Sequence, residues 1–254
     1  MAYDPVSTLR TWFDQSTHIV FLTGAGISTE SGIPDFRSAS GIYTRGVSTN
    51  VFDVAAFYRD PSLYYNFARE FCTIVDKAEP NEAHRSIAEL GRLPGKRVTV
   101  ITQNIDDLHQ RAGSDPVWCV HGNLEWSRCL RCGARVKTTG LMDTIRSGTV
   151  PMHACGGVFK PEVTFFGEML PERDFFESQR AVSGAEVLIV VGSSLTVYPA
   201  AGLPFARRKS CHYAIINRDP TEQDGVAELV IHDTAGDVLR AAVTAATRPS
   251  TTLE

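Results

Sequence analysis

Five short segments of this chain carry residue types able to do chemistry, and each directly follows an apolar run. They are Gly24-Ala25-Gly26, Gln103-Asn104-Ile105-Asp106, His121, Gly192-Ser193-Ser194 and Asn217. The first follows residues 18–22, a run that reads as a buried strand. Closely spaced glycines after a strand let backbone N–H groups approach a phosphate without interference from Cβ atoms. The match to a dinucleotide fingerprint is imperfect. Gly-x-Gly-x-x-Gly/Ala should open a long helix. Here the sixth position is Thr29, and Gly32 and Pro34 break the helix after one turn. Two readings stay open: a phosphate cradle, or a strand–turn–helix junction that uses glycine for packing. His121 supplies an imidazole that titrates near neutral pH, as a general base should, though a lone histidine after a strand is often structural. Asn104 and Asp106 can equally be turn residues that cap a following helix.

Periodicity predicts the elements that would position these groups. A short helix is expected over residues 8–16, and the Ser/Gly-rich residues 38–50 read as a loop. Asp60-Pro61 is a helix start, after which Tyr64, Phe67, Phe71, Ile74 and Val75 share one face, read as core. A second helix over 81–90 turns Ala83, Ile87 and Leu90 inward. Strands are expected at 97–102, 117–120, 187–191, 213–217 and 229–231. Helices are expected from about 108 to a C-cap at Gly113, and at 171–182, 199–208 and 236–246. Residues 126–160, rich in cysteine and basic side chains, look like an insertion, and the 247–254 tail should fray. Strands alternating with helices predict an α/β fold with a parallel, doubly wound sheet. Ligands bind such sheets outside the carboxyl ends of the strands, so the five segments should converge.

With 254 residues, 43% hydrophobic and 21% charged, the chain has the composition of an ordinary globular protein. A net charge of −4 argues against general nucleic-acid binding, but leaves room for a basic peptide substrate. Residues 1–10 carry no apolar signal segment, and no run approaches the ~20 residues that span a bilayer. Six cysteines without such a signal point to reduced thiols, a cytoplasmic location, and metal binding before disulfides.

The motifs from Gly24 to Arg37 (including Pro34-Asp35-Phe36-Arg37), Thr102-Gln103-Asn104-Ile105-Asp106, His121-Gly122-Asn123, Phe166-Gly167-Glu168 and Gly192-Ser193-Ser194 stand in the order of the sirtuins. Each alone is weak; five in order are specific. Over about residues 15–245 the chain resembles the Sir2 family of NAD-dependent protein lysine deacylases, most of all its compact bacterial members. The resemblance implies a Rossmann-type domain (1–37, 79–125 and 161–254). It also implies a small domain of a helical insertion (38–78) and a zinc-ribbon-like module (126–160). NAD, consumed as a co-substrate, and an acyl-lysine peptide would bind between them, and a monomer is expected.

By resemblance, His121 is the general base that deprotonates the NAD ribose, and the substrate's own amide oxygen is the nucleophile. Asp106 would meet the nicotinamide carboxamide, with Ile105 beside it. Asn104 and Gln103 would meet the adjoining ribose. Gly24, Ala25, Gly26, Ser28 and Thr29 would line the phosphates, completed by Gly192, Ser193 and Ser194. Asp35, Phe36 and Arg37 would cover the nicotinamide end, with Phe36 excluding water and Arg37 offering charge. Asn217 would meet the adenosine ribose. Phe166, Gly167 and Glu168, opposite Val197 in Thr196-Val197-Tyr198, would sandwich the peptide as an added strand. Competing readings are an ADP-ribosyltransferase or NAD-cleaving hydrolase, and a non-catalytic NAD sensor.

The chain departs from the family pattern in places. A structural zinc would need two cysteine pairs. Cys129-x-x-Cys132 is one, but in the second only Cys155 is present and Met152 fills its partner position. A thioether is a poor zinc ligand. His153 could complete a set with Cys129, Cys132 and Cys155; alternatively the module is metal-free and held by packing. Thr164 brings a hydroxyl to a position that usually carries an aliphatic side chain in the acyl-lysine tunnel, and could favour a polar acyl group or change nothing. Sirtuins that prefer succinyl groups carry Tyr-x-x-Arg on the small-domain helix. Ala68 and Phe71 stand there, and Tyr65 and Arg69 have other spacing. Deacetylation, or neutral deacylation, is expected over desuccinylation. Cys72, Cys119 and Cys211 lie in apolar segments and read as inert buried thiols.

Overall fold

Asp4 starts the first helix: its carboxylate accepts the Val6 N–H at 3.1 Å, and Pro5 follows with its φ already set. A computed structural model describes residues 4–39 and 41–246; the 247–254 tail lies outside the described residues. In chain order the regular elements begin with α1 (Pro5–Gln15), β1 (His18–Thr23), α2 (Val54–Arg59), α3 (Ser62–Lys77), α4 (Glu82–Arg92) and β2 (Arg97–Thr102). Then come α5 (Leu108–Ala112), β3 (Val117–Cys119), β4 (Gly122–Cys129), β5 (Arg135–Lys137), α6 (Met142–Arg146) and β6 (Phe159–Val163). The last are α7 (Glu172–Gly184), β7 (Val187–Val191), β8 (His212–Ile216), β9 (Leu229–Ile231) and α8 (Ala235–Ala246).

Six strands form one parallel sheet in the order β3-β2-β1-β7-β8-β9. The strand order reverses beside β1, the topology of a doubly wound nucleotide-binding fold. All six residues of β1 are buried, as a central parallel strand requires. Its side chains alternate between two cores. Ile19 and Phe21 join the layer under α1, α4 and α8, while Val20 and Leu22 join the layer under α7. A second sheet, order β5-β4-β6, is antiparallel. It starts at Gly122 and ends at Val163, wider than the 126–160 stretch whose composition changes, because its flanking strands have ordinary composition. A separate core gathers residues of α2 and α3 with Met142, Ile145, Val163 and Phe165.

Several expectations needed revision. The helix expected over 199–208 is a 3₁₀ helix, Ala200–Ala206, because Pro204 inside it has no N–H to give an α-helical bond. On α3, Ile74 is exposed, while Tyr65, Ala68 and Cys72 join Tyr64, Phe71 and Val75 in burial, so the apolar face is rotated from the expected stripe.

The stretch after β1 is a 3₁₀ helix, Ala25–Ser31, stopped by Gly32 at φ 85°. Here the two open readings of the glycines meet. Gly24 N–H donates to the Val191 carbonyl at 3.0 Å, and Gly26 N–H to the Gly192 carbonyl at 2.8 Å. A Cβ at Gly26 would lie 2.7 Å from the Gly192 Cα. A Cβ at Gly192, where φ is +63°, would lie 2.3 Å from the Ile27 nitrogen. The packing requirement is therefore real: the loops after β1 and β7 touch backbone to backbone. Asn81 fastens this junction to α4, its side chain donating to the Ile27 carbonyl at 2.7 Å while capping the helix. Gly192→Ala should destabilise the fold by roughly 2–4 kcal/mol, since overpacking and left-handed strain act together. Urea unfolding measures this; an unchanged midpoint would contradict the contact.

Candidate active site

The carboxyl ends of β1, β2, β7 and β8 open into a cleft of about 460 Å³ between the parallel sheet and the second core. Its walls include Gly24, Ala25, Gly26, Asp35, Phe36, Arg37, Gln103, Asn104, Ile105, His121, Gly192, Ser193, Ser194 and Asn217. Phe166, Gly167, Glu168 and Val197 line it too. Ser28, Thr29 and Asp106 are not in the wall. Ser28 and Asp106 are buried behind it: Asn104 Nδ2 donates to Ser28 Oγ at 3.0 Å, and Ser28 Oγ donates to Asp106 Oδ2 at 2.9 Å. Asp106 Oδ1 also accepts the Leu108 N–H at 3.1 Å, so it braces the start of α5. Burial pushes the Asp106 carboxyl above its ordinary range, against the pull of these donors. Thr29 Oγ1 donates to the Gly26 carbonyl at 2.9 Å.

His121 sits just past β3, at the head of β4. Its Nδ1 lies 2.9 Å from the Gln103 carbonyl, a pure acceptor, so Nδ1 carries the proton and Nε2 keeps the lone pair. Burial holds the imidazole below its ordinary pKa of 6.5, and the Arg37 charge acts in the same direction, while the Gln103 bond opposes them. The Gln103 side chain donates from Nε2 to Ser193 Oγ at 2.9 Å. One residue thus ties the histidine to the loop after β7.

Residues 35–39 and 41–43 fold back over the cleft. Asp35 Oδ1 accepts the N–H groups of Arg37 and Ser38 at 3.1 and 2.9 Å, and the Tyr43 N–H donates to the Phe36 carbonyl at 3.1 Å. The Phe36 ring packs 5.7 Å from both Tyr43 and Phe52. Among the described residues, Arg37 is the one cation in the cleft wall. On α3, Ala68 and Phe71 are buried in the core, Tyr65 bonds the Phe159 carbonyl at 2.6 Å, and Arg69 is exposed, so none of them brings a charge to the cleft.

The second-core wall has one paired edge and one open edge. Phe166 N–H donates to the Phe52 carbonyl at 2.7 Å, and the Val54 N–H donates to the Phe166 carbonyl at 3.0 Å. Next to it Gly167, at φ +91°, takes no part in a backbone hydrogen bond among the described residues. Lys160, missed from sequence, holds this stretch from behind. Its buried ammonium donates to the Val163 carbonyl and to Glu168 Oε2, both at 2.8 Å, and lies 4.1 Å from the Phe165 ring centre. Glu168 Oε2 also accepts the Phe165 N–H at 2.7 Å. Also missed were Tyr43, Phe52, Leu170, Asp219 and Pro220. For Asp219 the signal was its place three residues beyond the end of β8.

A second cluster lies outside the cleft. Cys129, Cys132, His153 and Cys155 present ligand atoms that all fall within 4.8 Å of one another. Cys129 Sγ is 3.5 Å from Cys155 Sγ, and Cys132 Sγ is 3.3 Å from His153 Nδ1. Gly133, at φ +75°, closes the turn that brings the first two thiols together. Three thiols and an imidazole at these separations fit tetrahedral zinc. Bound there, zinc would cross-link the turn after β4 to the 153–155 loop, a structural role. Met152 does not serve the cluster: it is 54% exposed and pairs by its backbone with Val158.

A family model described as the Sir2 family matches residues 24–199. The chain belongs to the Sir2 family. The NAD-dependent protein deacetylase of Cutibacterium acnes is 43% identical over 239 residues, covering 92% of this chain and 95% of that protein. A solved structure of Sir2 with a p53 peptide and NAD+ superposes with a TM-score of 0.86 at 38% identity, covering 94% of this Sir2 chain and 98% of that one. Another, of Sir2 with a deacetylated p53 peptide and 3′-O-acetyl ADP-ribose, gives a TM-score of 0.89 at 39% identity over the same shares.

Elemental analysis of protein purified without added metal should find about one zinc per chain, the content of a closed four-ligand site. His153→Ala should lower that content and Met152→Ala should not. Equal zinc in both variants would remove His153 from the ligand set.

Proposed function

We propose that this chain is an NAD-dependent protein lysine deacylase that moves an acetyl or other neutral acyl group from lysine to ADP-ribose and releases nicotinamide. The observation that carries this reading is His121: its Nδ1 proton is committed to the Gln103 carbonyl, leaving a neutral, basic Nε2 in the cleft wall. The relatives support it, since they are named NAD-dependent protein deacetylases and are solved with NAD+, peptide and acetyl-ADP-ribose.

NAD, when bound, supplies the ribose carbon that accepts the acyl oxygen as nicotinamide departs. The chain's residues handle position, water and one proton. Gly24–Gly26 and Gly192–Ser194 meet the diphosphate, with Asn217 toward the adenosine end. Ser28 and Thr29 back this loop, and Arg37 offers it charge. Gln103, Asn104 and Ile105 line the nicotinamide side, and Asp106 shapes it from behind through Ser28. Asp35 holds the Arg37 and Ser38 backbone so that Phe36 shields the reacting centre. His121 Nε2 takes the ribose hydroxyl proton, raising that oxygen's power to attack. The peptide adds as a strand between Gly167 and Val197, flanked by Phe166 and by Glu168, with backbone bonds that ask little of its sequence. With Arg37 the one cation in the wall among the described residues, and placed by this reading at the diphosphate, no other described cation is left for an acyl carboxylate. This supports acetyl over succinyl.

The reading treats 1–37, 79–125 and 161–254 as the NAD-binding unit and 38–78 with 126–160 as the smaller one. It takes the protein as a cytoplasmic monomer that binds no nucleic acid directly. The net charge of −4 and six unpaired cysteines support this. No helix among the described residues is long and apolar enough to cross a membrane.

Incubated with NAD, the protein should release nicotinamide only when an acetyl-lysine peptide is present, and faster than with its succinyl form. Release without peptide would favour NAD hydrolysis or ADP-ribosyl transfer; no release would favour an NAD sensor. His121→Ala should keep NAD affinity but lose about 10²–10⁴-fold in kcat, the usual worth of a positioned base. The pH profile adds a second check. A general base works when unprotonated, and burial lowers the His121 pKa, so the acid limb of kcat/KM should fall below pH 6.5. A limb centred above that value would contradict the assignment.

A further inference from the structure

Apolar residues are prominent along one part of the cleft wall, Phe52, Val163, Phe165 and Leu170 among them. Thr164 stands in the middle of this wall. Its neighbours Val163 and Phe165 are 4% and 1% exposed and belong to the second core. The chain runs extended through here, out of β6 into the bridge that Phe166 makes with Asp53. Alternation along extended chain therefore turns the Thr164 side chain away from that core and toward the cleft. Its N–H donates to the His121 carbonyl at 2.8 Å, so the residue is fixed beside the histidine that the proposed reaction uses. Its hydroxyl has no hydrogen-bond partner among the described residues, whereas Ser28, Thr29, Ser193 and Ser194 near the glycine loops all have one.

A hydroxyl in an open cleft bonds to water. Once an acyl-lysine fills the cleft, that water must leave. A plain alkyl acyl chain then strands the Thr164 oxygen against hydrocarbon, and the lost bond counts against binding. An acyl chain with its own hydroxyl replaces the water and restores the bond. Sites with a polar group waiting for a substrate hydroxyl discriminate against analogues that lack it, whereas purely apolar sites discriminate weakly.

We infer that Thr164 makes short hydroxyacyl-lysines, such as 2-hydroxypropanoyl- or 3-hydroxybutanoyl-lysine, preferred substrates over their deoxy counterparts. The inference rests on the deacylase reading. Transfer is unchanged and consumes one water. The acyl oxygen bonds the ribose carbon that nicotinamide leaves, a ribose hydroxyl oxygen bonds the acyl carbon, and the acyl–nitrogen bond of lysine breaks. Water adds to complete the ester and the ribose hydroxyl, lysine leaves as an ammonium with the protons released, and the acyl hydroxyl stays intact throughout. Thr164 acts as a specificity-determining residue and carries no proton.

The test uses the full chain, NAD and one peptide sequence bearing acetyl, propanoyl, 2-hydroxypropanoyl, butanoyl or 3-hydroxybutanoyl lysine. For at least one hydroxy/deoxy pair, the wild-type ratio of kcat/KM should favour the hydroxyacyl form by about five- to tenfold, the usual net worth of one hydrogen bond. Thr164→Val keeps the shape and removes the hydroxyl, so that ratio should fall to about that of an apolar pocket while acetyl turnover persists. Thr164→Ser should keep the preference. Equal ratios in wild type and Thr164→Val, with the acetyl peptide still turned over, would overturn the inference and leave the deacylase reading standing. Absence of acetyl turnover in the wild type would overturn both.

Discussion

The contact between two loops of bare backbone, Gly24–Gly26 after β1 and Gly192 after β7, is the constraint from which the site follows. The two strands are neighbours in register, and their chains leave the sheet at the point where strand order reverses. Only glycine lets both loops leave there together, because each Cβ would overlap the other's main chain. The contact fixes the direction of the 3₁₀ helix that follows β1. Gly32 then ends that helix early, and Asp35, Phe36 and Arg37 are sent back over the cleft. A longer helix at this point would leave the cleft without the Phe36 wall.

Around that contact the polar groups are mostly spent on one another. Gln103 bonds both the histidine and Ser193, and the Asn104–Ser28–Asp106 chain runs behind the wall. Such networks fix side-chain positions before any ligand arrives, so little ordering entropy remains to be lost on binding. The same holds across the cleft, where a buried lysine with two carbonyls and one carboxylate around it fixes Phe165 and Glu168. A buried ion pair adds little net stability. Its evident effect here is geometric: it sets the edge that Gly167 presents.

Much of this was legible in the sequence because the informative residues are local. Apolar runs at 97–102 and 187–191 gave strands with the observed bounds, and Gly113 marked the end of α5 through its left-handed backbone. The polar segments at strand ends converged because parallel topology sends them to one side of the sheet. Other features depended on distant contacts. That Gly26 needs to be glycine on account of Gly192 is a fact about residues far apart in the chain. Ser28 and Asp106 look like wall residues by position, yet turn inward because they satisfy each other. Lys160 reads as a surface lysine until Glu168 and the Val163 carbonyl are placed beside it. The helix expected at 199–208 is shorter and 3₁₀ for a local reason, Pro204, which the sequence itself shows.

The second core draws one part of its residues from 51–72 and another from 142–165. In a chain made from its amino end, Phe52, Phe57 and Tyr64 leave the ribosome well before Phe165, whose ring finally sits 5.9, 5.5 and 5.1 Å from theirs. Until then those aromatics have one another but lack the wall that Phe165 supplies. The cleft is therefore a late product of synthesis. Its far side cannot close until about two-thirds of the chain exists, and β1 waits longer still for β7. A growing chain of this protein exposes these aromatic rings early, in a segment whose Phe52 walls the finished cleft.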